Sequence, residues 1–130
     1  TLDQVLLNAL VAADGVLVPF IPHYLSLVGI KQFIKVFYHI STTINPSLVQ
    51  FSLLPVMTNR RYKLHQQIMK EIENQFGKHN VLRGVRSNIK LAEAFMHGCS
   101  IGEYAPRSTG AMDYFLLSEE LANKYVCSKV

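Results

Sequence analysis

The sequence predicts an α/β domain, a mostly parallel sheet flanked by helices in three layers. Three observations predict it. Helical and strand patterns alternate along the chain, in the order helix, strand, helix, strand, helix, strand, helix, helix. The strand segments are short, unbroken apolar runs between turn residues, as expected of strands buried on both faces of a parallel sheet. The helical segments carry apolar residues at spacings of three and four, one face each.

The first helix is expected from a capping box of Thr1 with Gln4 and from Leu2, Val5, Leu6, Ala9, Leu10 and Ala13; Asp14-Gly15 stops it. Residues 16–21 are a first buried strand, with pairing expected to end near Pro19, which has no N–H to give. A helix over about 25–41 places Leu27, Ile30, Phe33, Ile34, Phe37 and Tyr38 on one face, closed by Asn45-Pro46-Ser47. Residues 49–57 read as a second buried strand. Residues 61–76 form an amphipathic helix through Leu64, Ile68, Ile72 and Phe76, with Gly77 at its C-cap. Residues 81–85 are a third, shorter strand. Asn88 or Ser87 starts a helix with Leu91, Ala92, Phe95 and Met96 inward, and Ser108 or Thr109 caps a last helix running to about Val126. Right-handed crossovers between parallel strands follow from this order.

At 130 residues and 49% hydrophobic, the chain is expected to form one domain or part of one, without an internal repeat or linker. No apolar run reaches the roughly 18 to 20 residues of a membrane span. No signal peptide is read at Thr1-Leu2-Asp3-Gln4. Two cysteines, Cys99 and Cys127, cannot form a disulfide framework and suit a reducing cytoplasm. A net charge of +4 permits a polyanionic partner without establishing one. The missing initial Met and the bare edge of a three-stranded sheet both suggest a piece of a larger domain.

Five collinear segments, LNALVAADGVLVP (7–19), HYLSLVGI (23–30), INPSL (44–48), SNIKLAEAFMHG (87–98) and YAPRSTGAMDYFLLSEEL (104–121), carry a resemblance. Together they resemble the carboxyl half of ParA/Soj-type chromosome- and plasmid-partitioning ATPases, a deviant-Walker P-loop family. The resemblance implies the C-terminal part of a P-loop NTPase-type domain. It also implies, for the intact protein, ATP and Mg as cofactors, a homodimer formed around ATP, non-specific DNA binding, a ParB-type partner, and a cytoplasmic, nucleoid-associated location away from membranes. The family's KGGxGKT-type phosphate loop has no counterpart here: glycines stand at 15, 29, 77, 84, 98, 102 and 110, none opening such a loop. This chain alone is therefore expected to hold no catalytic residue and to hydrolyse no ATP, since phosphoryl transfer needs the nest, the Lys and the metal-holding Asp together.

In doubly wound sheets ligands sit beyond the carboxyl ends of the strands. Thr58 and Asn59, after the second strand, and Val85, Arg86 and Ser87, at the end of the third, are the candidate residues facing the nucleotide base. The family often shows Tyr-Asp-Gly-Arg and Pro-Arg-Asn at these places; here they read Thr58-Asn59-Arg60-Arg61 and Arg86-Ser87-Asn88. Candidate DNA-phosphate contacts are Arg61 and Lys90, matched to the family's basic residues, with Arg60 and Lys63 beside them and Arg83 and Arg86 as extensions. Lys90 in the first turn of a helix opposes the helix dipole, which argues for an anion bound there.

Lys31, Lys35, Lys70 and Lys78 read as solvated surface. His23, His39, His65, His79 and His97 are scattered, without the spacing of a zinc site, and His97 near Cys99 lacks the orienting third group of a catalytic dyad. Phe33, Phe37, Tyr38, Tyr114 and Phe115 fall at helical spacing and read as core. Two other classes stay open: a degenerate interaction module that dimerises through its sheet edge, and a fragment of a MinD-like positioning ATPase. The second usually ends in an amphipathic membrane helix, for which residues 122–130 are short and mixed.

Overall fold

The computed structural model describes residues 3–126. In order the elements are α1 Gln4–Ala12, β1 Gly15–Phe20, α2 Tyr24–Thr43, β2 Gln50–Pro55, α3 Lys63–Phe76, α4 Ile89–Met96, α5 Ile101–Tyr104 and α6 Thr109–Leu121. A 3-10 turn covers Lys78–Asn80 and a π-helical turn Ala122–Val126. The expected Thr1 cap, together with Leu2, Cys127 and residues 128–130, lies outside the described residues. Asp3 caps α1 instead, its carboxylate accepting from the Leu6 N–H at 2.9 Å.

β1 and β2 pair in parallel, in register from Gly15 opposite Gln50 to Phe20 opposite Pro55. Pairing thus runs one residue past Pro19. Phe20 gives its carbonyl to Val56 N at 2.8 Å, so the alternation of the strand turns the N–H-less Pro19 to the outer edge, where a proline removes no ladder bond. The sheet order is β1-β2.

The expected third strand survives as two parallel bridges, Leu53 to Val81 and Thr58 to Arg86. Leu82 N and Val85 N donate to Leu53 O and Pro55 O, both at 2.9 Å, and Ser87 N to Thr58 O at 3.0 Å. Donors facing one neighbour stand two residues apart in a regular strand; Leu82 and Val85 are one residue further apart. The extra residue breaks the ladder as a bulge does.

β2 explains the layering. Phe51 and Leu53 face a large cluster with Leu10, Leu27, Ile30, Ile34, Phe37, Ile40, Ile68 and Ile72, from α1, α2 and α3. Leu54 faces a smaller one with Leu82, Val85 and Leu117, joined by Leu91 and Leu121. Burying alternate residues on opposite faces makes β2 the centre of a helix, sheet, helix arrangement.

Ser52 is fully buried on the second face, and its hydroxyl meets Tyr125 Oη from the π-helical turn at 2.6 Å. The same ring lies over Gly15, where a Cβ would come within 2.8 Å of it. Asn45, expected only to close α2, also reaches back to α1: its Nδ2 donates to Leu10 O at 3.1 Å and Ala13 O at 2.8 Å.

Several expected faces are corrected. α3 begins at Lys63 and buries His65 rather than Leu64, which is 50% exposed. α4 buries Ala94, while Phe95 and Met96 are 88% and 83% exposed. Leu91 instead seats against Gly110 of α6, where a Cβ would meet Leu91 Cγ at 3.0 Å. Tyr38, Tyr114 and Phe115 are exposed rather than core. The sequence reading missed α5, whose cap is a full box between Ser100 and Glu103.

Candidate functional site

Two loops meet at the carboxyl ends of the sheet segments. After β2 the chain turns at Met57, whose φ of +52° is a left-handed conformation uncommon for a residue with a Cβ. That turn delivers Thr58 to the bridge with Arg86: Thr58 N donates to Val85 O at 3.1 Å, and Thr58 Oγ1 to the same carbonyl at 3.3 Å. Thr58, Val85, Arg86 and Ser87 are therefore neighbours. Val85 is buried and both its backbone groups are bonded, so it offers a wall rather than a hydrogen bond. Asn59 stands apart, capping the approach to α3: its N–H donates to His65 Nδ1 at 3.1 Å and its side chain accepts from Arg61 N at 3.0 Å.

Arg86 divides two cavities. One, of about 540 Å³, runs between Val56, Met57, Val85, Ser87, Asn88, Ile89, Leu91, Ala92 and Tyr114 and is walled mainly by apolar atoms. The other, of about 430 Å³, lies towards α3 and α6 and is lined by Pro55, Thr58, Arg60, Met69, Arg83, Gly84 and Asp113. A Cβ on Gly84 would press on Thr58 Cγ2 at 3.1 Å, so glycine lets the two loops close up.

Asp113 of α6 fixes Arg86 three times, through Nε (3.0 Å), Nη2 (2.8 Å) and the backbone N (2.9 Å). Asp113 is 2% exposed, whereas the Arg86 side chain remains 41% exposed. Burial pushes the Asp113 carboxyl up, but hydrogen bonds from Arg86 and its charge more than offset this and hold it below the ordinary carboxylate value. The same hydrogen bond raises Arg86 further. Neither the partner nor the fork was legible from spacing.

Arg60, Arg61 and Lys63 follow Thr58, and all three are exposed. Lys90 follows Arg86, but its ammonium is paired with Glu93 at 2.9 Å, which in turn accepts from Tyr104 Oη at 3.0 Å. Hydrogen bonding to Glu93 raises the Lys90 pKa and that to Lys90 lowers the Glu93 pKa. An external anion is thus no longer needed to account for a cation in that first turn. The histidines are less scattered than their numbering: His23 and His65 meet edge to face at 5.6 Å, with Tyr62 at 5.3 Å on the other side. Among the described residues no group of three His, Cys, Asp or Glu could hold a metal ion.

No protein-family model matches the chain. Over 121 residues it is 34% identical to the chromosome-partitioning ATPase Soj of Thermus thermophilus, a match covering 93% of this chain and 49% of that protein. It is 31% identical over 122 residues to the sporulation initiation inhibitor protein Soj of Bacillus subtilis (94% and 48%). It is also 31% identical over 124 residues to the chromosome partitioning protein ParA of Myxococcus xanthus (95% and 44%). The chain spans about half the length of the curated relatives it matches. Among solved structures, cobyrinic acid a,c-diamide synthase from Mycobacterium smegmatis, with bound ADP and magnesium, superposes at a TM-score of 0.72. That match covers 96% of this chain and 44% of the synthase at 19% identity, a likeness of fold.

Proposed function

We propose that this chain, which over the span it covers belongs to the Soj/ParA family of partitioning ATPases, is the C-terminal portion of such a protein, supplying a base-facing wall and a DNA-contacting surface. In the intact protein this portion serves chromosome or plasmid segregation through ATP-dependent dimerisation, non-specific DNA binding and a ParB-type partner. The observation that carries the reading is the Thr58–Arg86 bridge, which sets two loops side by side beyond the carboxyl ends of the strands.

The residues present fit one end of a nucleotide. The groove beside Val56, Leu91 and Ala92 offers apolar walls, with Ser87 and Asn88 as polar groups, which suits a flat base. They do not fit Mg: Asp113, the carboxylate that lines this place, is engaged by Arg86.

For DNA the reading relies on Arg61 and Lys90, with Arg60 and Lys63 beside them. Lys90 would exchange its Glu93 partner for a phosphate, a trade between two anions at an exposed site. Fluorescence anisotropy with duplex DNA at two salt concentrations, for the chain and an Arg61→Ala/Lys90→Ala variant of unchanged circular dichroism, tests this. Salt-sensitive binding that the variant loses is expected; binding unaffected by the double substitution would refute the assignment of these two residues.

A further inference from the structure

We propose that the cavity beside α3 and α6, lined by Arg60, Arg83 and Arg86, is an oxyanion site that takes a phosphate, either of a nucleic-acid backbone or of a small phosphorylated molecule. The nucleic-acid form rests on the DNA-binding reading above; the small-molecule form does not.

Three guanidinium groups line this space of about 430 Å³ against a single carboxylate, Asp113. Asp113 is already committed to Arg86, and the described residues contain no ion pair of Arg60 or Arg83. The lining therefore carries an excess of two positive charges, with the Glu120 carboxylate bonded to the Arg83 backbone beside it and with Thr58 and the backbone at Gly84 completing a polar wall. Convergent like charges repel one another and attract an anion; a doubly charged phosphate matches the excess.

The site is also held in place. Arg86 uses Nε and Nη2 on Asp113 and keeps the rest of its five N–H donors. The backbone that presents both arginines is fixed from α6: Arg86 N donates to Asp113 at 2.9 Å and Arg83 N to Glu120 at 3.1 Å. The Arg86 guanidinium, set by its bonds to Asp113, suits phosphate recognition and loses little freedom on binding, while Arg83 and Arg60 reach in from a fixed backbone and an exposed loop. Arg83 and Arg60 are exposed, so ligand reaches them without opening the fold. It lies on the opposite side of Arg86 from the proposed base-facing groove.

The chain, Arg83→Ala, Arg60→Ala and the Arg61→Ala/Lys90→Ala variant are each titrated with inorganic phosphate, followed by backbone amide NMR shifts, and with duplex DNA, followed by anisotropy. Phosphate is expected to shift the amides of residues 83–87 and 58–60, with several-fold weaker binding in Arg83→Ala and Arg60→Ala. With DNA, each is expected to weaken binding about three- to tenfold and flatten the salt dependence by roughly one counterion. Phosphate binding lost in Arg83→Ala, with no DNA binding by any form, supports a small-phosphate site and overturns the DNA reading. DNA binding lost only in Arg61→Ala/Lys90→Ala, with both single variants like the parent for both ligands, overturns this site and leaves that reading standing. Absence of binding to either ligand overturns both.

Discussion

The two edges of the sheet are treated in opposite ways. On one side β1 ends the sheet with Leu17 42% exposed, and among the described residues its only strand partner is β2. On the other, residues 81–86 turn their outward N–H groups to carboxylates of α6, Arg83 to Glu120 and Arg86 to Asp113. A capped edge cannot template another strand; an uncapped one can. The capped side is also where the arginines converge, so the bonds that close the edge to β-pairing hold the backbone of the proposed phosphate site. The uncapped side leaves the outer backbone groups of β1 without a strand partner among the described residues.

The hardest way to break the contrast is Asp113→Ala. It removes one edge cap and leaves Arg86 half-exposed without its partner, and should cost about 2–4 kcal/mol by urea denaturation, somewhat less than a fully buried pair. A loss under about 0.5 kcal/mol would mean the cap is ornamental. Acid sharpens the same point. Because the Asp113 carboxyl lies below its ordinary value of about 3.9, its contribution is complete above that pH and fades as pH falls through the lowered folded value. Stability measured downward from pH 5 should therefore fall less steeply in Asp113→Asn than in the parent.

Tyr125→Phe probes the β1 side, which is held from its face and not along its edge. Leaving the buried Ser52 hydroxyl without a partner should cost about 1–2 kcal/mol in Tm-derived stability, and equal stability would show that Ser52 finds another partner. Glu120→Gln keeps an oxygen for Arg83 N but loses the charge, so about 0.5–1 kcal/mol is expected. Leu17→Lys should change stability by no more than about 0.5 kcal/mol while reducing any concentration-dependent light scattering, because only the open edge is altered. Undiminished scattering would place self-association elsewhere.

Periodicity located every long helix and both paired strands, because burial on one helical face or both sheet faces leaves a repeat in the sequence. It failed where small residues set the contact. Leu91 seats against Gly110, and no count of apolar residues contains that information. The third strand read as regular because Val81, Leu82 and Val85 are apolar; the extra residue at Arg83-Gly84 leaves no periodic trace. That Thr58, Val85, Arg86 and Ser87 lie side by side was legible because loops after neighbouring parallel strands emerge at the same end of the sheet. Asp113, Glu120 and Arg83 became meaningful only when α6 was laid along the edge, a contact across a long stretch of sequence.

The bond between Ser52 and Tyr125 has a consequence in time. A chain emerging from the ribosome exposes β1 and β2 early, and the two can pair while α6 is still being made. Ser52 then waits without its partner, and Gly15 without the ring that covers it, until Tyr125 has left the exit tunnel. Contacts so distant in sequence close late and slowly. The nascent sheet therefore passes through an interval in which its second face is open, and a ribosome-stalled chain ending before Tyr125 should be cut by protease at residues that the released protein protects.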